Sequence, residues 1–450
     1  MSTPSLDRRI LALALPALGA LIAEPLFVLV DSALVGHLGV AELAGLTLAS
    51  TLLVTAVGLF VFLAYTTTAS VGRLIGAGHP DRALRAGVDG IWLALGVGAL
   101  VAAVGIAVAP WAIGLLGGPD LSPEVAAHAV TYLRTSLPGM PGMLAVLAAT
   151  GVLRGLLDTR TPLVVAGIGA VVNAGLNALF IYGFGWGIGG SGAGTALVQL
   201  GMGAWLVAVV ARGTRATLGP GFSLRPSLDG VGGGLRDGLP LFLRTLTLRV
   251  AILLTVTVAA TLGEIPLAAH QVVNSLWGFA AFALDALAIA AQALVGRALG
   301  AADEGEARSV LRRTLTWGAG AGLVIGAVLA LLAHPLASLF TPDDVARSAA
   351  ATGLYVIAVA MPLAGVVFVL DGVLIGAGDG TFLAWAGVAS LVAYLPFLWI
   401  VWSHAPRGPG QEAAAVAWLW LAFAVAFMLA RGIATYLRSR GSRWLVLGVR

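Results

Sequence analysis

Twelve apolar runs, each close to or beyond the roughly 20 residues that a helix needs to cross a bilayer core, recur along this sequence. They fall at residues 10–35, 45–70, 87–116, 125–153, 162–184, 192–212, 239–262, 267–299, 309–338, 345–376, 382–402 and 412–437. In lipid every backbone N–H and C=O must find its partner within the protein, so such runs are helices. An all-α polytopic membrane protein is therefore expected. Only 10% of the residues are charged, against about a quarter in soluble domains. The run 10–35 follows Arg8 and Arg9 as a signal peptide would, but it is too long for a signal h-region and is read as a retained first span.

The basic residues refine this picture. All 25 are arginine, and there is no lysine and no cysteine. That excludes disulfides, thiolate metal sites, a thiol nucleophile and a P-loop, whose lysine contacts the phosphates. The net charge of +4 does not point to nucleic acid, because the arginines sit in short loops rather than on one solvated face. The six histidines show no pair at helical ligand spacing, and neither HExxH nor GxSxG appears, so no metal site and no enzyme is expected. With both termini placed in the cytoplasm, the inside segments hold 20 arginines and the outside loops only Arg347 and Arg407. Cytoplasmic loops collect positive charge, so the expectation is a multi-pass protein of the cell's inner (plasma) membrane with both termini inside. Arg134, Arg244 and Arg249 fall within spans.

The two halves repeat each other. GVLRGLLD at 151–158 matches GVLIGAGD at 372–379 in five of eight positions, at an offset of 221, and VGRLIGA at 71–77 matches VGRALGA at 295–301 in five of seven, at an offset of 224. Pro16 and Pro240 fall at that same offset. Six spans per half is an even number, so both halves cross in the same sense, as in parallel-repeat transporters. The predicted architecture is twelve transmembrane helices in two pseudo-symmetric six-helix lobes around a central cavity. An N-terminal lobe covers 1–212, a Gly- and Pro-rich cytoplasmic linker 213–238, a C-terminal lobe 239–438 and a cytoplasmic tail 439–450. A monomer is expected.

Acids inside such spans are costly and survive mainly on ion or substrate paths. Asp31, within VLVDSALV, is the leading candidate for taking up and releasing a coupling proton; the alternative is an interfacial charge reaching water near the helix end. Its repeat mate at an offset of 224 is Thr255, so the fold tolerates a neutral residue there and the acid is better explained by function. Glu24 lies two turns earlier on nearly the same face and either extends a proton path or serves backbone donors beside Pro25. Pro25 and Pro16 are candidate bends, because proline lacks the N–H of the helical ladder. Asn173 and Asn177, at i and i+4, share one helix face and either line the cavity or join helices. Asp285 and Asp371 in the second half are cavity-lining cation attractors, a second coupling site or partners of Arg244 and Arg249, with Gln292, a further cavity-lining candidate, His270, Gln271 and Asn274 near Asp285 in sequence. Asp158 and Asp379 are read as structural turns and His37 as a local hydrogen-bonding group.

Three stretches, PLFVLVDSALVGHLG at 25–39, GVLRGLLDTRTPL at 151–163 and ALDALAIAAQALVGRALGA at 283–301, resemble the multidrug and toxic compound extrusion (MATE) transporters, most closely the prokaryotic DinF-like branch. The likeness covers nearly the whole chain. It implies export of bulky cationic or amphipathic compounds in exchange for protons or sodium ions. It also implies an essential first-helix aspartate, which Asp31 matches, and a bending proline fifteen residues earlier, which Pro16 matches. The family's fifth helix carries an asparagine and an aspartate four residues apart, where this chain has Asn173 and Asn177, and its sixth helix a threonine, for which Thr195 stands. On this reading the chain is a proton antiporter coupled through Asp31, working by alternating access, without a cofactor other than the coupling ion. Rivals are a sodium-coupled exporter, a flippase for a lipid-linked saccharide precursor, a passive channel and an intramembrane enzyme.

Overall fold

The computed structural model describes residues 5–449, apart from the side chain of Glu24. Among the described residues, twelve helices are long and apolar enough to span a bilayer: α1 Leu6–Gly36, α2 Val40–Gly76, α3 Pro80–Gly117, α4 Pro123–Gly155, α5 Arg160–Gly183, α6 Gly187–Leu218, α7 Leu228–Leu262, α8 Glu264–Gly300, α9 Glu304–Leu331, α10 Asp344–Gly376, α11 Gly380–His404 and α12 Glu412–Arg440. The protein is an all-α multi-pass membrane protein. Large apolar side chains that a water-soluble fold would hide stand exposed on the spans, Val171 at 75% and Val359 at 85% among them; lipid is the solvent that suits them.

Helix runs further than the apolar runs did. α6 continues to Leu218 and α7 begins at Leu228, so only 219–227 lies outside helix in the stretch 213–238. Polar residues and glycine suggested loop there, but beyond the hydrocarbon a helix needs no apolar side chains. Glycine costs only about 1 kcal/mol per helical position.

Several spans are broken locally. α2 is interrupted between Leu59 and Phe62, a 3-10 turn at Leu137–Gly139 divides α4 next to Pro138 and Pro141, and single π-turns occupy Leu179–Gly183 of α5 and Phe423–Met428 of α12. Proline and π-turns are the usual causes of helix bends. Pro16 and Pro25 both lie inside α1, and Pro240 inside α7.

By contact the chain divides into two compact units. The N unit is Leu15–Gly238; the C unit joins the residues up to Ala14 to those from Leu239 onward. The first turns of α1 thus group with the C unit rather than with the 1–212 lobe read from sequence. The repeat is visible in packing as well as sequence. A Cβ on Gly98 of α3 would lie 2.6 Å from the Cα of Pro141 and 3.0 Å from the oxygen of Met140 in α4. On Gly322 of α9 it would lie 2.8 Å from the Cα of Pro362 and 2.3 Å from the oxygen of Met361 in α10. Each unit needs glycine at one helix crossing, where only a bare backbone can approach a Met-Pro step, the close contact that small residues permit between membrane helices.

Candidate functional site

Within the N unit four helices converge on one carboxylate. Asp31 of α1 is buried, at 4% exposure. Tyr132 of α4 donates its hydroxyl to Oδ2 at 2.9 Å, Ser191 of α6 donates to Oδ1 at 2.9 Å, and Thr195, one turn further along α6, donates to Oδ2 at 3.3 Å. The fourth donor is Nδ2 of Asn177 on α5, in close contact with Oδ1. Asn177 Nδ2 also reaches Asn173 Oδ1 at 3.3 Å, and Asn173 Nδ2 donates to Thr195 Oγ1 at 3.3 Å. The i, i+4 spacing on α5 thus turns both amides to one side, as on any α-helix.

Two oxygens of a carboxylate offer about four lone-pair sites, so this donor set saturates Asp31. All four donors are neutral. Among the described residues Asp31 has no cationic partner. A fully buried acceptor is left over: Oδ1 of Asn177 has no hydrogen-bond partner. Gly194 of α6 makes room for that amide, since a Cβ there would fall 2.0 Å from Asn177 Oδ1.

Asp31, Asn173, Asn177 and Thr195 are therefore brought together as the sequence suggested. Tyr132 and Ser191 escaped notice. Tyr132 sits in AVTYLRTS, two residues before an arginine in the least apolar part of the fourth span, and Ser191 in the glycine-rich GGSGAG; neither segment carries a period that aims a side chain. The side chain of Glu24 lies outside the described residues.

The second-half candidates lie in the C unit and do different things. Asp371 of α10, read as a cation attractor or a partner of Arg244 or Arg249, has its carboxylate engaged by two guanidinium groups, Arg244 of α7 at 2.7 Å and Arg431 of α12 in closer contact. Both arginines and the acid are buried, so its charge is already neutralised; a paired carboxylate is how a buried charge is normally kept. Arg431, counted from sequence with the cytoplasmic arginines, is inside α12. Gln292 of α8 is buried at 2% exposure, with its backbone against Gly376 of α10, and Asp285 on the same helix is partly exposed. Asp158 accepts from the backbone of Arg160 and Thr161 at the start of α5, Asp379 pairs with Arg438 at 2.6 Å, and His37 Nδ1 lies 2.7 Å from the carbonyl of Ala33. Asp158 and His37 bond locally, whereas Asp379 ties the turn between α10 and α11 to α12.

A sequence model of the MatE family matches residues 16–179 and again 240–400, one match per repeat, starting at Pro16 and Pro240. The chain belongs to the MatE family. Its members are transporters, not enzymes. The protein DETOXIFICATION 44, chloroplastic, of Arabidopsis thaliana is 32% identical over 402 residues, 87% of this chain and 76% of that protein. The DNA damage-inducible protein F of Escherichia coli K12 is 29% identical over 441 residues, 95% of this chain and 91% of that protein, and is the DinF relative that the sequence likeness implied. Among solved structures, the MATE transporter VcmN of Vibrio cholerae superposes with a TM-score of 0.85 at 23% identity, covering 98% of each chain. That likeness carries the fold: twelve helices with a twofold internal repeat. The MatE chain is thus a multi-pass transporter of the multidrug and toxic compound efflux family.

Proposed function

We propose that this MatE transporter exports organic cations and amphipathic compounds in antiport with protons, and that Asp31 is the group through which the proton drives the cycle. The observation supporting this is a buried carboxylate saturated by four neutral donors, with no counter-cation among the described residues. In the ionised form every lone pair of Asp31 is used. A proton arriving from outside turns one oxygen into a donor, so one of the four neighbours loses its acceptor. Turning the Asn177 amide offers Oδ1, the unpartnered acceptor, to the new O–H, in exchange for the bond from its Nδ2 to Asn173 Oδ1. Neutralisation also removes the attraction of Asp31 for a cation. α1 can bend at Pro16 or Pro25, where the missing N–H weakens the ladder, and Glu24, two turns away, extends the same proton path. With the termini in the cytoplasm of a plasma-membrane protein, each charge moved through 100 mV supplies about 2.3 kcal/mol. That sustains roughly fiftyfold accumulation. Protein monomers suffice for this cycle.

Sodium coupling is the second reading, because the carboxylate, amide and hydroxyl oxygens of Asp31, Asn173, Asn177 and Thr195 are of the kind that hard cations take. It would require the hydroxyls to turn their oxygens inward, whereas here they donate to Asp31.

The deciding experiment is uptake of a fluorescent organic cation into inside-out proteoliposomes with an acid interior, with and without sodium. The wild type is expected to accumulate the dye without sodium, and Asp31→Asn to fall to the level of empty vesicles. Equal uptake by both proteins would remove Asp31 from the mechanism; uptake only with sodium would select the second reading.

A further inference from the structure

α1 and α7, which are repeat mates, each change unit along their length. α1 starts in the C unit and passes into the N unit after Ala14; α7 starts in the N unit and passes into the C unit after Gly238. The two crossing points are 224 residues apart, the repeat offset, and each lies two residues before a proline, Pro16 or Pro240. The exchange is therefore a property of the repeat.

Each exchanged start is fastened to its host unit by side chains. Asp7, in the first turn of α1, accepts two bonds of 2.5 Å from Arg313 of α9 and one of 2.8 Å from Trp317 Nε1. Arg9 adds an ion pair to Glu306 at 2.7 Å. In the N unit the segment leading into α7 is held by α3, the repeat mate of α9. Asp89 accepts from the backbone N–H of Ser227 at 2.8 Å and from its hydroxyl at 2.9 Å; Trp92 Nε1 donates to the Leu224 carbonyl at 2.8 Å. Arg85 donates to the Arg225 carbonyl at 2.9 Å and lies 4.6 Å over the Phe222 ring.

Asp89 and Arg313 are 224 residues apart, and Trp92 and Trp317 are 225 apart. The same stretches of the host helices thus hold the incoming chain in both units; both tryptophans donate, whereas at the Asp89/Arg313 place the polarity is reversed. An acid on the host receives in one unit; an arginine on the host donates in the other. Attachment has been kept while its chemistry changed, which is what a requirement for attachment itself leaves behind.

We infer that α1 and α7 are reciprocal levers. Each is anchored at its start to one unit, α1 through its first turns and α7 through the segment that leads into it, and embedded past its proline in the other, and the two clasps stay closed while the helices bend. This rests on the alternating-access reading. A lever transmits only when its end is fixed. With the clasp open, the start of α1 follows the rest of the helix, and a proton taken up at Asp31 no longer repositions one unit against the other.

The absence of native cysteine makes a tether clean. In the proteoliposome assay, Asp7→Cys combined with Arg313→Cys is expected to lower transport about tenfold, a coupling-sized loss. Joining the two thiols with a short reducible crosslinker is expected to restore at least half of wild-type transport, and reduction to remove it again, with the thermal midpoint of the untethered protein near wild type. Unimpaired transport in the untethered variant overturns the proposal, as does a tether that fails to restore transport or abolishes what is left. If the wild type itself does not respond to a pH gradient, the exporter reading fails and the anchor is judged by hydrogen exchange. Residues 6–14 are expected to exchange slowly at acidic and alkaline pH alike in the wild type and quickly in Asp7→Asn with Arg313→Gln. Opening of 6–14 on a pH change in the wild type would show that the clasp releases, and the anchor would be wrong.

Discussion

Repeat-equivalent positions in the two units are built into opposite chemistry. Asp31 corresponds to Thr255 at an offset of 224, and Asn173 to Tyr394 at an offset of 221. In the N unit that pair belongs to a carboxylate ringed by donors. In the C unit it is one neutral hydrogen bond, Thr255 Oγ1 to the Tyr394 hydroxyl at 2.9 Å, closed in by Phe423, Phe427 and, beyond them, Trp420 and Trp277. The backbone accepts either filling, so the fold does not demand the acid. The C unit has its own buried acid, Asp371, whose repeat mate is the neutral Thr150. Arg244 and Arg431 hold it between α7, α10 and α12. Each unit thus keeps a buried carboxylate, one balanced by cations and one only by neutral donors. A guanidinium fixes charge in place, while hydroxyls and amides can hydrogen-bond to either protonation state. The difference sets a charge held by cations in the C unit against one held by neutral donors in the N unit, and the proposed coupling role rests on that contrast.

Asp371→Asn breaks this comparison most directly. It leaves two buried guanidinium groups facing an amide, and removing one partner of a buried ion pair costs roughly 3–5 kcal/mol. The expected result is a large fall in the thermal denaturation midpoint of the purified protein, whereas Asp31→Asn, which leaves no charge stranded, unfolds near wild type. Should Asp371→Asn be as stable as wild type yet fail to transport, the acid faces substrate after all.

Ser191→Ala and Tyr132→Phe sharpen the other side. Each withdraws one donor from Asp31, and a hydrogen bond to a charged group contributes about 1.5–3 kcal/mol. Proton-driven uptake is expected to drop roughly tenfold or more in each variant, with a smaller fall in the denaturation midpoint than Asp371→Asn shows. Uptake at wild-type rates in both would mean that the donor ring is packing rather than machinery.

How much of this was legible beforehand follows from what a sequence displays. Apolar length gave the twelve spans, because lipid enforces helix wherever the run is long enough. The repeat gave the equivalence of the halves. Asp31, Asn173, Asn177 and Thr195 were found because polar residues stand out in apolar runs, three of them supported by family likeness. Tyr132 and Ser191 were missed because a tyrosine near an arginine, or a serine among glycines, looks ordinary; only the convergence of α1, α4, α5 and α6 gives them meaning. The pairing of Asp371 was legible only in part, for a related reason. Arg244 was weighed as its partner, but Arg431 lies 60 residues away in a segment whose arginines were counted as cytoplasmic, and long-range pairing leaves no local pattern. The exchange of α1 between units was invisible, since Ala14 and Leu15 are both apolar residues of one continuous helix and nothing in the sequence between them marks a boundary.

The smallest effect tests the neutral centre itself. Thr255→Val keeps the shape and removes the hydroxyl that pairs with Tyr394, leaving a buried phenol, 0% exposed, without that partner. An ordinary neutral hydrogen bond is worth about 0.5–1.5 kcal/mol, so the denaturation midpoint is expected to fall slightly, while proton-driven uptake stays within about twofold of wild type. The value of the experiment lies in the asymmetry it demands. A valine at 255 changes the repeat mate of Asp31 in a unit whose own acid is already paired, and on the present argument the proton has no business there. A transport defect as large as that of Ser191→Ala would place part of the coupling in the C unit. The two centres would then be halves of one device rather than one working site and one structural plug.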